Sequence, residues 1–266
     1  MSRLLRNCFF GLVALFLCAP LVVMLGVSVN AKKLLFFPPE GFSLRWYVEM
    51  LTQHAWLHPI QNSVVIATCA GLISISIALP LAYALWRYGL SYAKVLYGLG
   101  VAPFMLPPVI TALGFMIFWA SIGHYGRIEN DIVAHGIFLV TLPLMTISLG
   151  LESTDKAMVE AAQTMGANER QVFTTIVLPL IRPYIISGYA FAFVLSLNEY
   201  IIAYMVAGFT VETLPIKIFN SLRYGYTPVM ASVAVLFVTV ALVVFGLIGR
   251  FGNLPRLLGR WSPEQQ

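Results

Sequence analysis

The chain has 266 residues, of which 59% are hydrophobic types and 10% charged, with a formal net charge of +5 and a mean hydropathy of +0.86. Soluble domains are roughly 45–50% apolar and about 25% charged, and one core stops growing near this length, so a soluble globular protein, a disordered chain and a disulfide scaffold are excluded. A polytopic, all-α membrane protein remains, and the basic excess belongs to cytoplasmic loops rather than to a nucleic-acid surface.

A spanning helix needs about 20 apolar residues, which predicts six transmembrane helices over 7–29, 60–86, 94–121, 132–151, 183–207 and 229–249. Together they form one membrane domain covering 1–266. Arg3 and Arg6 precede the first run. That run is longer than the 7–15 residues of a signal-peptide core, so it reads as an uncleaved span. The loop 30–59 carries Phe36-Phe37-Pro38-Pro39, Trp46 and Tyr47. These aromatics suit either the headgroup layer or a surface touched by an outside partner. Pro80, Pro103, Pro107, Pro108 and Pro143 fall within spans two to four. Each removes a helix hydrogen bond and predicts a kink; the alternative is a broken helix that lines a path. Cys8, Cys18 and Cys69 sit in apolar runs as small hydrophobes. No two glycines are four apart, so no GxxxG packing motif is present.

With both termini inside, the inner segments hold Arg3, Arg6, Arg87, Lys94, Lys156, Arg170, Arg182, Arg250, Arg256 and Arg260. The outer loops hold Lys32, Lys33, Arg45, Arg127, Lys217 and Arg223. Ten against six favours N-in, C-in.

The loop 152–182 is then cytoplasmic. Thr154 or Asp155 is suited to cap a helix start. Met158, Ala161, Ala162 and Met165 share one face at i, i+3, i+4 and i+7, and Gly166 suits a left-handed stop. Asn168 with Gln171 makes an Asn version of a capping box. A second short helix follows, with Val172, Phe173 and Ile176 on one side, and Leu178-Pro179 is expected to end it. The small apolar face either packs on the chain's own helix ends or docks a partner.

In the fifth span Glu199 is the only acid placed within the bilayer, where a charge costs about 2.5–3.5 kcal/mol on insertion scales. Ser196, Glu199, Tyr200 and Ala203 share a helical face, and Tyr204 extends it. A carboxylate beside tyrosine rings suits an organic cation. The alternative is a gate or packing role, with Glu199 bonded to a neighbouring helix. The outer loop 208–228 contains Thr213 to Phe219, read as a short interfacial or re-entrant helix.

Glu160-Ala161-Ala162, then three residues, Gly166, then nine, then Ile176, Leu178 and Pro179 resemble the EAA loop of ABC importer permeases at every fixed position. The resemblance implies the type I importer permease fold. It implies that Glu160 is the polar contact to an ATP-hydrolysing subunit, that Ala161 and Ala162 form a close-packed face, and that Gly166 is the turn. Met165, by its place on the stripe, adds an apolar plug. Gly41-Phe42-Ser43-Leu44-Arg45-Trp46-Tyr47, Ser196-Leu197-Asn198-Glu199 and the stretch from Gly208 through Thr213-Leu214-Pro215-Ile216-Lys217-Ile218 to Pro228 resemble the second permease of spermidine/putrescine importers. Asn198-Glu199 stands where two acids are expected, which leaves aminoethylphosphonate, opine-type compounds and iron as alternative solutes.

The resemblance therefore implies a bacterial inner-membrane, multi-pass permease subunit forming half of a path for a small organic cation such as putrescine or spermidine. The implied substrate-path residues are Ser196, Asn198, Glu199, Tyr200 and Tyr204. The implied partners are two ATP-binding subunits, a second, similar permease and a periplasmic binding protein. No cofactor or metal site is expected. His54 and His58 lack a nearby acid pair, and His124 and His135 look isolated. None of the five lysines follows a glycine, so a phosphate loop is absent, and ATP hydrolysis resides in a partner. A membrane-embedded enzyme would need clustered acids or histidines within the spans. An ion-coupled secondary carrier would need inverted repeats and several intramembrane charges.

Overall fold

The computed structural model describes residues 3–33, 35–225 and 227–251. Arg256 and Arg260, which entered the charge count above, lie outside the described residues. The described chain is helical throughout, apart from turns and one isolated antiparallel bridge between Asn30 and Phe42. It divides into two compact units, residues 3–60 with 217–242 and residues 61–216 with 243–251.

In the first unit, α1 (Arg3–Ser28) buries only Val27 and Ser28. Its exposed leucines and phenylalanines are what a lipid-facing helix requires, because hydrocarbon rather than protein solvates them. After α1 the chain is organised by Asn30. Its Oδ1 accepts from the Lys32 and Glu40 amides at 3.1 Å, and its carbonyl accepts from Trp46 Nε1 at 2.7 Å. Trp46 and Met50 of α2 (Arg45–Thr52) are buried. Ser28 Oγ lies 2.8 Å from Tyr47 OH, and the Ser28 carbonyl accepts from Ser232 Oγ at 3.3 Å. The aromatic segment expected to be a headgroup anchor therefore splits: Phe36 and Phe37 are exposed, while Trp46 is core.

The long helix α3 (His54–Tyr88) covers the second predicted span. The third is two helices, α4 (Ser91–Met105) and α5 (Pro108–Ser121), bent by 109°. This corrects the expectation of a simple kink. Pro107 and Pro108 both lack an amide proton, and Leu106 (ψ 150°) and Pro107 (ψ 133°) are extended. Two adjacent prolines thus remove two ladder bonds and push the residues before them out of the helical region. Pro108 then starts α5 at a first-turn position, where its missing N–H costs nothing.

The fourth span begins earlier than predicted. It comprises α6 (Ile128–Phe138) and α7 (Thr141–Glu152), a 25-residue apolar stretch that includes Asp131. α8 (Lys156–Thr164) and α9 (Glu169–Val172) form the intervening loop. α9 continues through a π turn (Phe173–Val177) into α10 (Leu178–Asn198). Leu178-Pro179 does not end the helix. The Leu178 amide reaches back five residues to the Phe173 carbonyl, and this wider turn carries the helix across a proline that has no proton to give. The apolar helix runs from Glu169 to Asn198, 30 residues, and stops at Glu199 rather than at 207. A short α11 (Ile201–Val206) follows, then α12 (Leu214–Tyr224), the helix expected at 213–219. α13 (Val229–Phe251) is the last span. Among the described residues five helices are long and apolar enough to cross a membrane, or six with the bent pair counted as one span.

The core of the second unit is continuous from the spans into the loop. Ile147 and Leu151 of α7, Ala78 and Ala82 of α3, and Val177 and Ile181 pack with Val159, Ala162 and Val172. Single glycines, rather than a GxxxG pair, allow the closest crossing. A Cβ at Gly188 would stand 2.6 Å from Pro143 Cα and 2.5 Å from Thr146 Oγ1. α7 and α10 therefore touch through backbone there.

Candidate functional site

The loop helices are built as their sequence dictates. Asp155, not Thr154, caps α8: its Oδ1 accepts from the Ala157 amide at 2.9 Å. Thr154 instead donates to the Gly150 carbonyl. Gly166 ends α8 at φ +90°, a conformation L side chains rarely adopt, with open space where a Cβ would be. Asn168 and Gln171 form the complete capping box, both bonds at 2.9 Å.

The face of α8 differs from the predicted stripe. Val159 and Ala162 are buried against the chain's own core, while Met158 (49% exposed), Ala161 and Met165 (83%) face away from it, as does Glu160. Ala162 is thus an internal packing residue, and Val159, absent from the predicted stripe, is its partner. A period of 3.6 cannot say which of two overlapping faces points inward. A rotation of about 80°, less than a quarter turn at about 100° per residue, decided it. The element is fixed to α3 by Arg87, which pairs with Glu169 at 2.7 Å, and Glu169 also accepts from Gln163 Nε2 at 2.8 Å. The Arg87 guanidinium beside it holds the Glu169 carboxyl below its ordinary value. Tyr83 and Phe173 meet edge to face at 4.8 Å.

The second cluster lies where α10 ends. The chain breaks at Glu199 (ψ 125°) without a proline or glycine. The Glu199 carboxylate turns onto the start of α11. Oε1 accepts from the Ile201 and Ile202 amides at 2.9 and 3.0 Å, and Oε2 from Ile202 and Ala203 at 2.9 and 3.1 Å. A carboxylate at a helix N-terminus satisfies amides that have no intrahelical partner and meets the positive end of the helix dipole. Glu199 Oε2 is also 3.3 Å from His135 Nε2, within ion-pair range but not aligned as a hydrogen bond. His135 Nδ1 lies 2.8 Å from Ser196 Oγ. His135 is 1% exposed and the Glu199 side chain 9%.

His135 is therefore not isolated, and neither is His124, whose Nε2 lies 3.4 Å from Glu129. Nor is Glu199 the only acid within a span. Asp131, one turn before His135 on α6, is completely buried and neither of its carboxylate oxygens has a hydrogen-bond partner. The predicted fourth span began one residue after it. The readable signal was the i, i+4 spacing of Asp131 and His135 at the head of an apolar run.

The predicted path residues do not share one continuous helical face, because the break separates Ser196 from Tyr200 and Tyr204. Ser196 is buried on His135. Asn198 Nδ2 donates to the Val194 carbonyl at 2.8 Å. Tyr200 and Tyr204 stack at 5.5 Å, with Tyr204 37% exposed. Hydroxyl, imidazole and carboxylate stand in the order of a hydrolytic triad. Yet the α11 amides that could hold an oxyanion are occupied by Glu199 itself, and Ser196 is 5% exposed. The arrangement orients helices and carries charge; it is not set up for acyl transfer. Among the described residues no group of three metal-ligating side chains occurs.

Residues 72–253 match the family of binding-protein-dependent transport system inner membrane components. The chain belongs to this family. Both the loop helices and the Glu199 cluster of this transport component lie inside the matched region. The chain is 33% identical over 241 residues to the putrescine transport system permease protein PotI of Escherichia coli (strain K12), covering 88% of this chain and 84% of that protein. It is 30% identical over 257 residues to the spermidine/putrescine transport system permease protein PotC of Haemophilus influenzae, covering 95% and 100%. Among solved structures it resembles a chain of a bacterial ABC transporter that imports the acidic polysaccharide alginate (TM-score 0.66, 15% identity, 98% and 99% covered). It also resembles a chain of the inward-facing MetNI methionine ABC transporter (TM-score 0.61, 18% identity, 78% and 97% covered). At such identities these two share its fold. The permease is thus a multi-pass transport component, not itself an enzyme.

Proposed function

We propose that this chain is the permease subunit of a polyamine ABC importer, forming half of a path for putrescine or spermidine through the bacterial inner membrane. The observation that carries the solute is the similarity to PotI and PotC over most of the chain. The whole chain, 1–266, works as one membrane domain; the family match running across both compact units supports this. Its partners are two ATP-binding subunits, a second, similar permease and a periplasmic binding protein, with both termini of this chain inside.

In this reading the loop 152–182 is the cytoplasmic handle. Glu160, Ala161 and Met165, with Met158 beside them, face an ATPase groove. Ala162 ties the handle to the spans, and Gly166 sets its turn. Closure of the ATPase pair on ATP moves the handle and rocks the spans between inward-open and outward-open states, the nucleotide supplying the differential affinity that shifts the population. Ser196, Asn198, Glu199, Tyr200 and Tyr204 shape the path. The Tyr200–Tyr204 pair offers ring faces to an ammonium. Glu199 fixes the break that presents them.

The test is reconstitution of this chain with its three kinds of partner in proteoliposomes. Putrescine or spermidine, delivered by the binding protein, is expected to raise ATP hydrolysis and to accumulate inside. Stimulation by neutral sugars or anions alone, with no response to amines, would overturn the reading.

A further inference from the structure

We propose that Asp131 is the anionic group on this chain that receives an ammonium group of the moving solute, and that Glu199 is not. The inference rests on the polyamine reading and assigns it a residue outside the predicted path set. The acceptor capacity of each carboxylate decides between them. A carboxylate has about four lone-pair sites. Those of Glu199 are taken by four contacts from the Ile201, Ile202 and Ala203 amides, with His135 Nε2 3.3 Å away. An incoming ammonium would have to displace the amides that start α11. Asp131 is as deeply buried and accepts from nothing.

A buried acceptor left unsatisfied costs about 1–3 kcal/mol, more if charged, and an ionisable group within a span is by default functional. Asp131 lies in the first turn of α6, where a carboxylate meets the positive end of the helix dipole, but that use leaves both of its oxygens without a donor. It does not cap α6, whose Arg127 cap position has no side-chain bond, and none of the described ion pairs includes it. Two further polar atoms of this region are also buried without partners. They are Asn130 Oδ1, on the neighbouring residue, and Trp119 Nε1, in the helix that packs on α6. A primary ammonium brings three donors and no acceptor. Its donors match orphaned acceptors such as those of Asp131 and Asn130, and its charge pairs with a carboxylate, which an anion cannot do and a neutral hydroxyl does without charge assistance; Trp119 Nε1, itself a donor, is not met by it. Access requires α5, α6 and α11 to part, which is the movement a path opening at the α4–α5 and α10–α11 breaks provides.

The experiment uses the complete importer in proteoliposomes. Wild-type uptake is first measured with putrescine, spermidine and a neutral solute. Asp131→Asn is expected to raise the putrescine KM about tenfold or more, the loss of one charged hydrogen bond, and Asp131→Glu to recover part of it. Glu199→Gln is expected to lower thermal stability with a smaller change in KM. A second readout needs no variant: labelling of Asp131 by dicyclohexylcarbodiimide in wild-type membranes, read by mass spectrometry, should be slowed by putrescine. If wild type carries amines while Asp131→Asn keeps its KM, or if putrescine leaves the labelling unchanged, this assignment falls and the polyamine reading stands. If wild type carries no amine, both fall.

Discussion

Removal of the Glu199 carboxylate should destabilise the permease by breaking the start of α11, and the size of the effect follows from the contacts. Replacing an N-terminal capping side chain with alanine costs about 0.5–2 kcal/mol. The contact with His135 Nε2, 3.3 Å and not aligned as a hydrogen bond, adds little to this. The expected loss is therefore about 0.5–2 kcal/mol. Glu199→Gln keeps one acceptor and turns the other into a donor facing amides, so about half of the cap is lost and roughly 0.3–1 kcal/mol is expected. For domains of 150–250 residues one kcal/mol moves Tm by about 2–4 °C. Glu199→Ala should therefore melt about 1–8 °C below wild type, with Glu199→Gln between the two, in thermal scans of the purified complex. His135→Ala should leave most of the difference between Glu199→Ala and wild type in place, because the amides that Glu199 caps do not involve His135. If Glu199→Ala melts with wild type, the carboxylate is not a cap in the working protein and the reasoning fails.

The exposed and buried faces of α8 make separable predictions. Glu160→Lys and Met165→Asp should leave the melting temperature of this chain within error while abolishing co-purification of the ATPase. Ala162→Asp should lower the melting temperature itself, because it places a charge in the core beside Val159 and Ile181. Gly166→Ala should cost about 1–2 kcal/mol through backbone strain alone, seen as faster hydrogen exchange over 163–168, since its Cβ would meet nothing. Gly188→Ala should reduce the yield of folded protein, because its methyl would meet Pro143 backbone; overpacking of this kind costs about 1–3 kcal/mol. The Arg87–Glu169 pair should show itself in pH dependence. A carboxyl held below its ordinary value stabilises at pH above the ordinary carboxylate range, and the contribution is lost as pH falls through the lowered value. Exchange protection over Glu169–Val172 should therefore drop on acidification, and Glu169→Gln should flatten that drop. Both partners are partly exposed, so the effect is modest.

The spans at 60–86 and 229–249 and the all-helical class were legible because twenty consecutive apolar residues have few other uses, whereas the sixth span of the prediction holds only if the pair bent by 109° is counted as one. Local signals were equally direct. The Asn168–Gln171 box and the Gly166 stop appear as read, since each depends on residues within one turn. What failed depended on partners distant in sequence. Nothing in Ser196-Leu197-Asn198-Glu199-Tyr200 marks a helix break, because the cause is a side chain competing for amides rather than a proline or glycine. His135 looked isolated because its partners lie 61 and 64 positions away on another helix. Asp131 was missed because hydropathy sets span ends only to within a few residues. The π turn at Phe173–Val177 reversed a sound local rule: Pro179 was expected to stop a helix, and the chain widened one turn instead.

That widened turn has a mechanical consequence. Because it does not interrupt the rod, Glu169 and Asn198 are the two ends of a single body about 45 Å long, at 1.5 Å per residue over 30 residues. A push on the connector at one end is delivered to the histidine-linked corner at the other without passing through any chain of side-chain contacts. In the proposed importer, movement of the connector and tilt of this corner are then two readings of one lever.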